Sequence, residues 1–212
     1  MLAGIIHAGV AENAEAPKNL DSKFQSKFLQ GWMYNSICLV FFSLVGFSLS
    51  HGQVFKTQSD VLQEAFPRNS RVERKVIFLT DEQITNIEKR AKAKLETKLI
   101  TYYVGSVDDS TIGYAFFETN VVRTKPETFV VILKPDGSIK SVEILAFYEP
   151  LDYLPTPRWL RLFNDKILSD SLWPKRDIHN ITGATLTVQA ITQGVRKTLA
   201  IYGIITTKEG LN

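Results

Sequence analysis

Between residues 188 and 202 apolar positions recur at helical spacing: Val188, Ile191, Val195, Leu199 and Tyr202 share one face with Thr198, and Gln189, Gln193, Arg196 and Lys197 are expected toward solvent. A shorter helical pattern over residues 59–66 carries Val61, Leu62 and Phe66 and is closed by Pro67. Thr80-Asp81-Glu82-Gln83 has the spacing of a capping box, and Ile84, Ile87, Ala91 and Leu95 form one apolar stripe behind it on a helix rich in Lys and Glu. Residues 157–168 predict a fourth, amphipathic helix through Trp159, Leu160, Phe163 and Ile167, with both aromatics in the core.

Residues 99–104, 112–122, 128–133 and 139–148 read as strands, and Pro135-Asp136-Gly137 supplies a tight turn that makes the last two an antiparallel hairpin. Residues 68–75 are too charged to fit that pattern and are expected to form a link leading to Val76-Ile77-Phe78-Leu79. Helix, meander, loop and helix is an α+β order: an antiparallel sheet with flanking helices. No Gly-rich nucleotide loop follows a strand, which disfavours a doubly wound fold.

Residues 1–32 have no sustained period. Lys18, Lys23 and Lys27 precede an apolar run over residues 37–49, with Ser48, Ser50 and Gly52 near its end, the layout of a secretory signal peptide. Extended back to Leu29, the run reaches about the 20 residues that span a bilayer and would be an uncleaved anchor. Either way the basic side stays in the cytoplasm and the rest of the chain is sent across. The expected organisation is a lead over residues 1–52 and one domain over residues 53–212.

Composition narrows the chemistry. A chain of 212 residues that is 44% apolar can build one good core. Its net charge of +3 comes from interspersed signs with no dense basic track, so nucleic acid is excluded as an expected partner. The single cysteine, Cys38, and three scattered histidines, His7, His51 and His179, leave little for a disulfide, an iron–sulfur cluster or a metal site. Redox chemistry in this chain must come from an organic cofactor.

Thr182-Gly183-Ala184-Thr185 places small residues where the long helix begins. Backbone N–H groups there have no intrahelical partner, and the positive end of the helix dipole favours a phosphate. Such residues also precede many helices that bind nothing, so capping and anion binding both stay open. Lys175 and Arg176 lie just upstream and are expected to be solvated.

Thr182-Gly183-Ala184-Thr185-x-Thr187 resembles the [ST]-G-A-T-x-[ST] signature of the FMN-binding domain family, which includes the flavin-bearing small subunits of the sodium-translocating NADH:quinone oxidoreductase and of Rnf-type complexes. The resemblance extends over about residues 62–202, through Gly113-Tyr114-Ala115-Phe116-Phe117 and the Lys134-Pro135-Asp136-Gly137-Ser138-Ile139 turn. It implies FMN as cofactor, joined through its phosphate to the Thr185 hydroxyl by a flavin transferase that uses FAD. Thr182, Gly183, Ala184, Leu186 and Thr187 then belong to the cofactor site. Thr182 is expected to bond to the turn before the helix, and Thr187 to satisfy a first-turn N–H.

Glu149 and Pro150 fall where family members carry a Glu-Thr-Pro-Gly-like loop against the flavin ring, and Tyr153 and Trp173 are loop aromatics that flank it. His179 departs from the family, which has Asp there; the nearest acid here is Asp177. If the transferase reads that carboxylate, attachment is slowed or lost and FMN is held without a bond. The expected function is an electron-carrier module of the cell envelope, not a stand-alone enzyme, with the transferase and a cytochrome or quinone-linked membrane complex as partners. The alternatives are an FMN-binding sensor or regulatory module, and a structural domain that has lost flavin.

Overall fold

The computed structural model describes residues 52–209. The proposed signal or anchor run lies outside them; among the described residues no helix is long and apolar enough to cross a membrane. The elements are β1 (Gln53–Val54), α1 (Gln58–Ala65), β2 (Arg71–Phe78), α2 (Asp81–Ala91), β3 (Leu99–Val107), β4 (Ser110–Val121), β5 (Pro126–Leu133), β6 (Ile139–Phe147), α3 (Pro157–Leu160) and α4 (Thr185–Glu209). This is the expected α+β architecture. All six strands form one antiparallel sheet in the order β1-β6-β5-β4-β3-β2.

The sheet is covered on both faces. On β5, Phe129, Val131 and Leu133 point toward α2 and α4, where they meet Ile87, Val188, Ile191, Val195 and Leu199. Val130 and Ile132 point the other way, joining Ala115, Leu145 and the α1 residue Val61. All five β5 side chains are 0–1% exposed, and burying each stabilises the fold by about 1.5–3 kcal/mol. Gly194 lets α4 lie close to the sheet: a Cβ built there comes 2.5 Å from Phe129 Cζ.

Local chemistry sets the helix ends. Thr57 and Asp60 form a capping box at α1, and Thr80 and Gln83 form the expected one at α2. Lys92, with φ of 56°, turns the chain out of α2, so Leu95 packs on the core from a loop instead of from the helix. The helix expected over residues 157–168 lasts only through α3 and a single 3-10 turn, Arg161–Phe163, and breaks where Asn164 turns extended. Trp159 and Phe163 are in the core, whereas Ile167 is 60% exposed.

Two further expectations are corrected. The charged link over residues 68–75 is largely strand: β2 pairs with β3 from Arg71 to Phe78. As the last strand of the sheet it is largely exposed, with only Lys75 and Ile77 half-buried, so Arg71, Arg74 and Lys75 are tolerated there and discourage pairing with other chains. Arg196 and Lys197 do not face solvent. Arg196 is 1% exposed and donates to the carbonyls of Ala91 (2.8 Å), Ser169 (2.5 Å), Leu172 (3.1 Å) and Arg90 (2.7 Å). Lys197 reaches Glu118 of β4 at 3.1 Å.

Candidate functional site

The ends of β4 and β6 meet the start of α4 at one end of the sheet. The first helical bond of α4 runs from the Val188 N–H to the Ala184 carbonyl at 3.0 Å, and the Ala184 N–H donates to Ile181 at 3.1 Å. Ala184 therefore stands at the cap position, with no side-chain acceptor. Elsewhere in the described fold Thr57, Thr80 and Thr156 each cap a helix. At α4, among the described residues, no side chain accepts from the N–H groups of Thr185, Leu186 or Thr187, so three donors at the positive end of a 25-residue helix stay open to the cleft. Ala184, not Thr182 or Thr187, stands at the position from which a hydroxyl would cap.

Gly183 has φ of 83°, and a Cβ added there meets nothing within 4 Å. Its requirement is conformational: the chain turns sharply into α4 at this point.

The helix start opens into a cleft of about 220 Å³ lined by Val122, Arg123, Glu149, Tyr153 and residues 183–187. Larger hollows lie elsewhere, a broad groove of about 970 Å³ between α1 and β2 among them, but no open helix end converges on them. The opposite wall is built by Glu149. It is 4% exposed, and its Oε1 accepts the N–H groups of Arg123 (3.2 Å), Thr124 (2.8 Å) and Lys125 (2.9 Å). These bonds, that from Thr124 foremost, hold its carboxyl below the usual range and fix the loop that presents Arg123. Tyr153 comes from the 3-10 turn Leu151–Tyr153, closed by its N–H on the Pro150 carbonyl at 3.0 Å.

The cleft thus gathers Gly183, Ala184, Thr185, Leu186, Thr187, Glu149 and Tyr153. Pro150 and Thr182 are exposed beside it and do not line it. Trp173 stands apart, its ring centroid 5.2 Å from the Arg196 guanidinium. His179 is exposed and accepts the Trp159 indole N–H on its backbone oxygen at 2.6 Å. Asp177 is held by the Ser171 hydroxyl at 2.9 Å. Lys175 and Arg176 are exposed. Val122 and Arg123 had no signal in the sequence beyond their place after a strand.

Beneath the cleft, Glu127 of β5 is 0% exposed and neither carboxylate oxygen has a hydrogen-bond partner. Burial, followed by the charge of Glu149, pushes its carboxyl up from 4.5 to about 8.

Open N–H groups at a helix dipole, one arginine and the exposed Thr185 suit a phosphate, while Tyr153, Val122 and Leu186 offer apolar surface to a planar ring. Residues 124–200 match the model of the FMN-binding domain family, and that segment contains Glu149, Tyr153 and the whole α4 start. The match indicates FMN as the cofactor and suggests a flavin-binding, electron-transfer module. No curated protein matches the chain.

Proposed function

We propose that this chain is an electron carrier of the cell envelope that holds FMN by its phosphate at the start of α4, with the Thr185 hydroxyl as the point of covalent attachment. The observation that carries the reading is the uncapped helix start, where Thr185 is the first helical residue and is exposed at the cleft. Thr187 is 1% exposed and Thr182, although exposed, lies outside the lining residues, which supports Thr185 as the accessible hydroxyl of the cleft.

In the attachment the Thr185 oxygen bonds to the FMN phosphorus of FAD, the pyrophosphate bond breaks, AMP leaves, and the hydroxyl proton goes to solvent. The bound group supplies paired electron uptake and single-electron release. The chain supplies the rest. Thr185, Leu186 and Thr187 offer N–H donors, Arg123 offsets phosphate charge, Tyr153 walls the ring, and Glu149 holds the Arg123 loop in place. A cleft of about 220 Å³ is below the roughly 300–1,000 Å³ of enclosing ligand sites, which favours a ring lying across the mouth, within reach of a partner.

The basic lead and apolar run support an extracytoplasmic location, and the family resemblance supports a cytochrome or quinone-linked membrane complex as partner. A reporter active only after export, fused to Asn212, should be active.

The central test is co-production with the transferase, followed by intact mass and flavin fluorescence of the denatured chain. Wild type should carry covalent flavin, as should Thr182→Val and Thr187→Val at lower yield. Thr185→Val should carry none and keep its circular dichroism. Fluorescence on denatured Thr185→Val sinks the assignment. The second reading, a fold that has lost flavin, rests on His179; it predicts colourless protein that His179→Asp converts to yellow.

A further inference from the structure

Glu127 stands opposite Asn120 of β4 and Phe147 of β6 in the sheet register. Cross-strand partners share a face, and Asn120 Nδ2 donates to the Ala190 carbonyl at 3.1 Å. Glu127 is therefore on the face covered by the first turns of α4. Other buried charged groups of this layer are matched. Glu149 has three loop N–H groups, Arg196 has four carbonyls, and Lys197 has Glu118 at 3.1 Å and Asn120 at 3.4 Å.

Glu127 has nothing. A buried carboxylate without donors costs several kcal/mol, so its free response to the surroundings is to gain or lose a proton. The charged groups on the elements packed around it are Glu149 after β6, Arg123 and Lys125 in the loop before β5, and the Glu118–Lys197 pair joining β4 to α4. Of these, Glu149 acts on it through its charge, and Glu149 forms part of the cleft wall. Negative charge at the cleft is thus felt at Glu127, through an interior where salt and water screen it little.

We propose that Glu127 is the charge-compensating proton acceptor of the cleft: when the cleft gains negative charge, Glu127 takes up one proton from solvent. An O–H bond forms on the carboxylate, one unit of negative charge is removed, and no electron passes through the residue. The proposal rests on the flavin reading for the source of that charge, which is the bound phosphate or the electrons added on reduction. Below about pH 8 the acid already holds its proton and is silent, so the response is confined to more alkaline solution.

The test uses the full chain, flavin-loaded and unloaded. On reduction by dithionite at about pH 9, a pH-indicator dye should report up to one more proton taken up per two electrons in wild type than in Glu127→Gln. Titrating FMN into unloaded protein at the same pH should show uptake in wild type alone, which separates phosphate from electrons as the source. Independently of any variant at this position, infrared spectra of unloaded wild type should show a protonated-carboxyl carbonyl band at pH 7 that fades toward pH 10. In Glu149→Gln the fading should move to lower pH. A loaded chain whose uptake equals that of Glu127→Gln, or wild type lacking the band at pH 7, overturns the proposal. A chain that never acquires flavin sinks the proposed function and removes this proposal with it.

Discussion

Arg196 and Trp173 form a stacked pair, the guanidinium carbon 5.2 Å from the indole centroid, and the same guanidinium donates to the carbonyls of Arg90, Ala91, Ser169 and Leu172. The pair ties the end of α2 and the loop before α4 to the middle of α4. An arginine can do this because its planar fork satisfies several acceptors from one buried position.

Arg196→Leu should accordingly destabilise the fold by about 3–5 kcal/mol in urea unfolding, because it strands carbonyls that the rest of the chain cannot reach. Arg196→Lys, with a point charge and no fork, should lose roughly half as much. A loss under about 1 kcal/mol for Arg196→Leu would show that water replaces the guanidinium freely.

Glu149→Ala should release the loop over residues 123–125 and cost about 2–3 kcal/mol, since three N–H groups lose an ionised acceptor. The carboxyl of Glu149 is held low in the fold, so its contribution is present above the ordinary carboxylate range and fades as acid protonates it. Wild type and Glu149→Ala should therefore converge in stability as pH falls below the ordinary carboxylate range. Faster amide exchange at residues 123–125 is the local readout.

Glu127 has the opposite sign. Its carboxyl is protonated in both states below 4.5; above that the unfolded chain releases the proton while the folded chain keeps it to about 8. Stability from this group is thus full in mild acid and declines as pH rises, by at most about 5 kcal/mol at 1.36 kcal/mol per pH unit. Glu127→Gln should match wild type near pH 4 and exceed it at pH 9. Parallel pH profiles for the two proteins would show that Glu127 is solvated.

Gly194→Ala should destabilise by about 1–3 kcal/mol, although alanine is the better helix former, because the new methyl meets the Phe129 ring at 2.5 Å. Pairing it with Phe129→Leu, which clears that space, should recover part of the loss. Thermal unfolding of the single and double variants decides between packing and propensity.

What the sequence made legible was local. Thr80 and Gln83 form their capping box from residues three apart, and Pro135-Asp136-Gly137 turns within one hairpin, so neither depends on the rest of the fold. Arg71, Arg74 and Lys75 were misleading because charge reads as loop unless the strand is known to lie at an edge. Arg196 was misleading because its partners are distant in sequence: helical spacing names a face, but not the carbonyls waiting on it. Glu127 lies just before the strand expected over residues 128–133, and only the register with Asn120 shows what lies above it. The α4 start and Glu149 were legible through the family resemblance, whereas Arg123 in the facing wall required the fold.

A cleft of about 220 Å³ with an open mouth is a poor cage for a molecule the size of FMN. A cofactor fixed by one bond to Thr185, as proposed, would not need a cage. Tethering would replace dissociation into bulk solution with local excursions, and a short tether would keep the effective concentration near millimolar, so that modest contacts with Tyr153 and Leu186 would suffice to hold the ring. The fold is then free of the usual compromise between retaining a redox group and exposing it. Under the proposed attachment retention would be chemical, and the surface around the ring could be shaped for a redox partner.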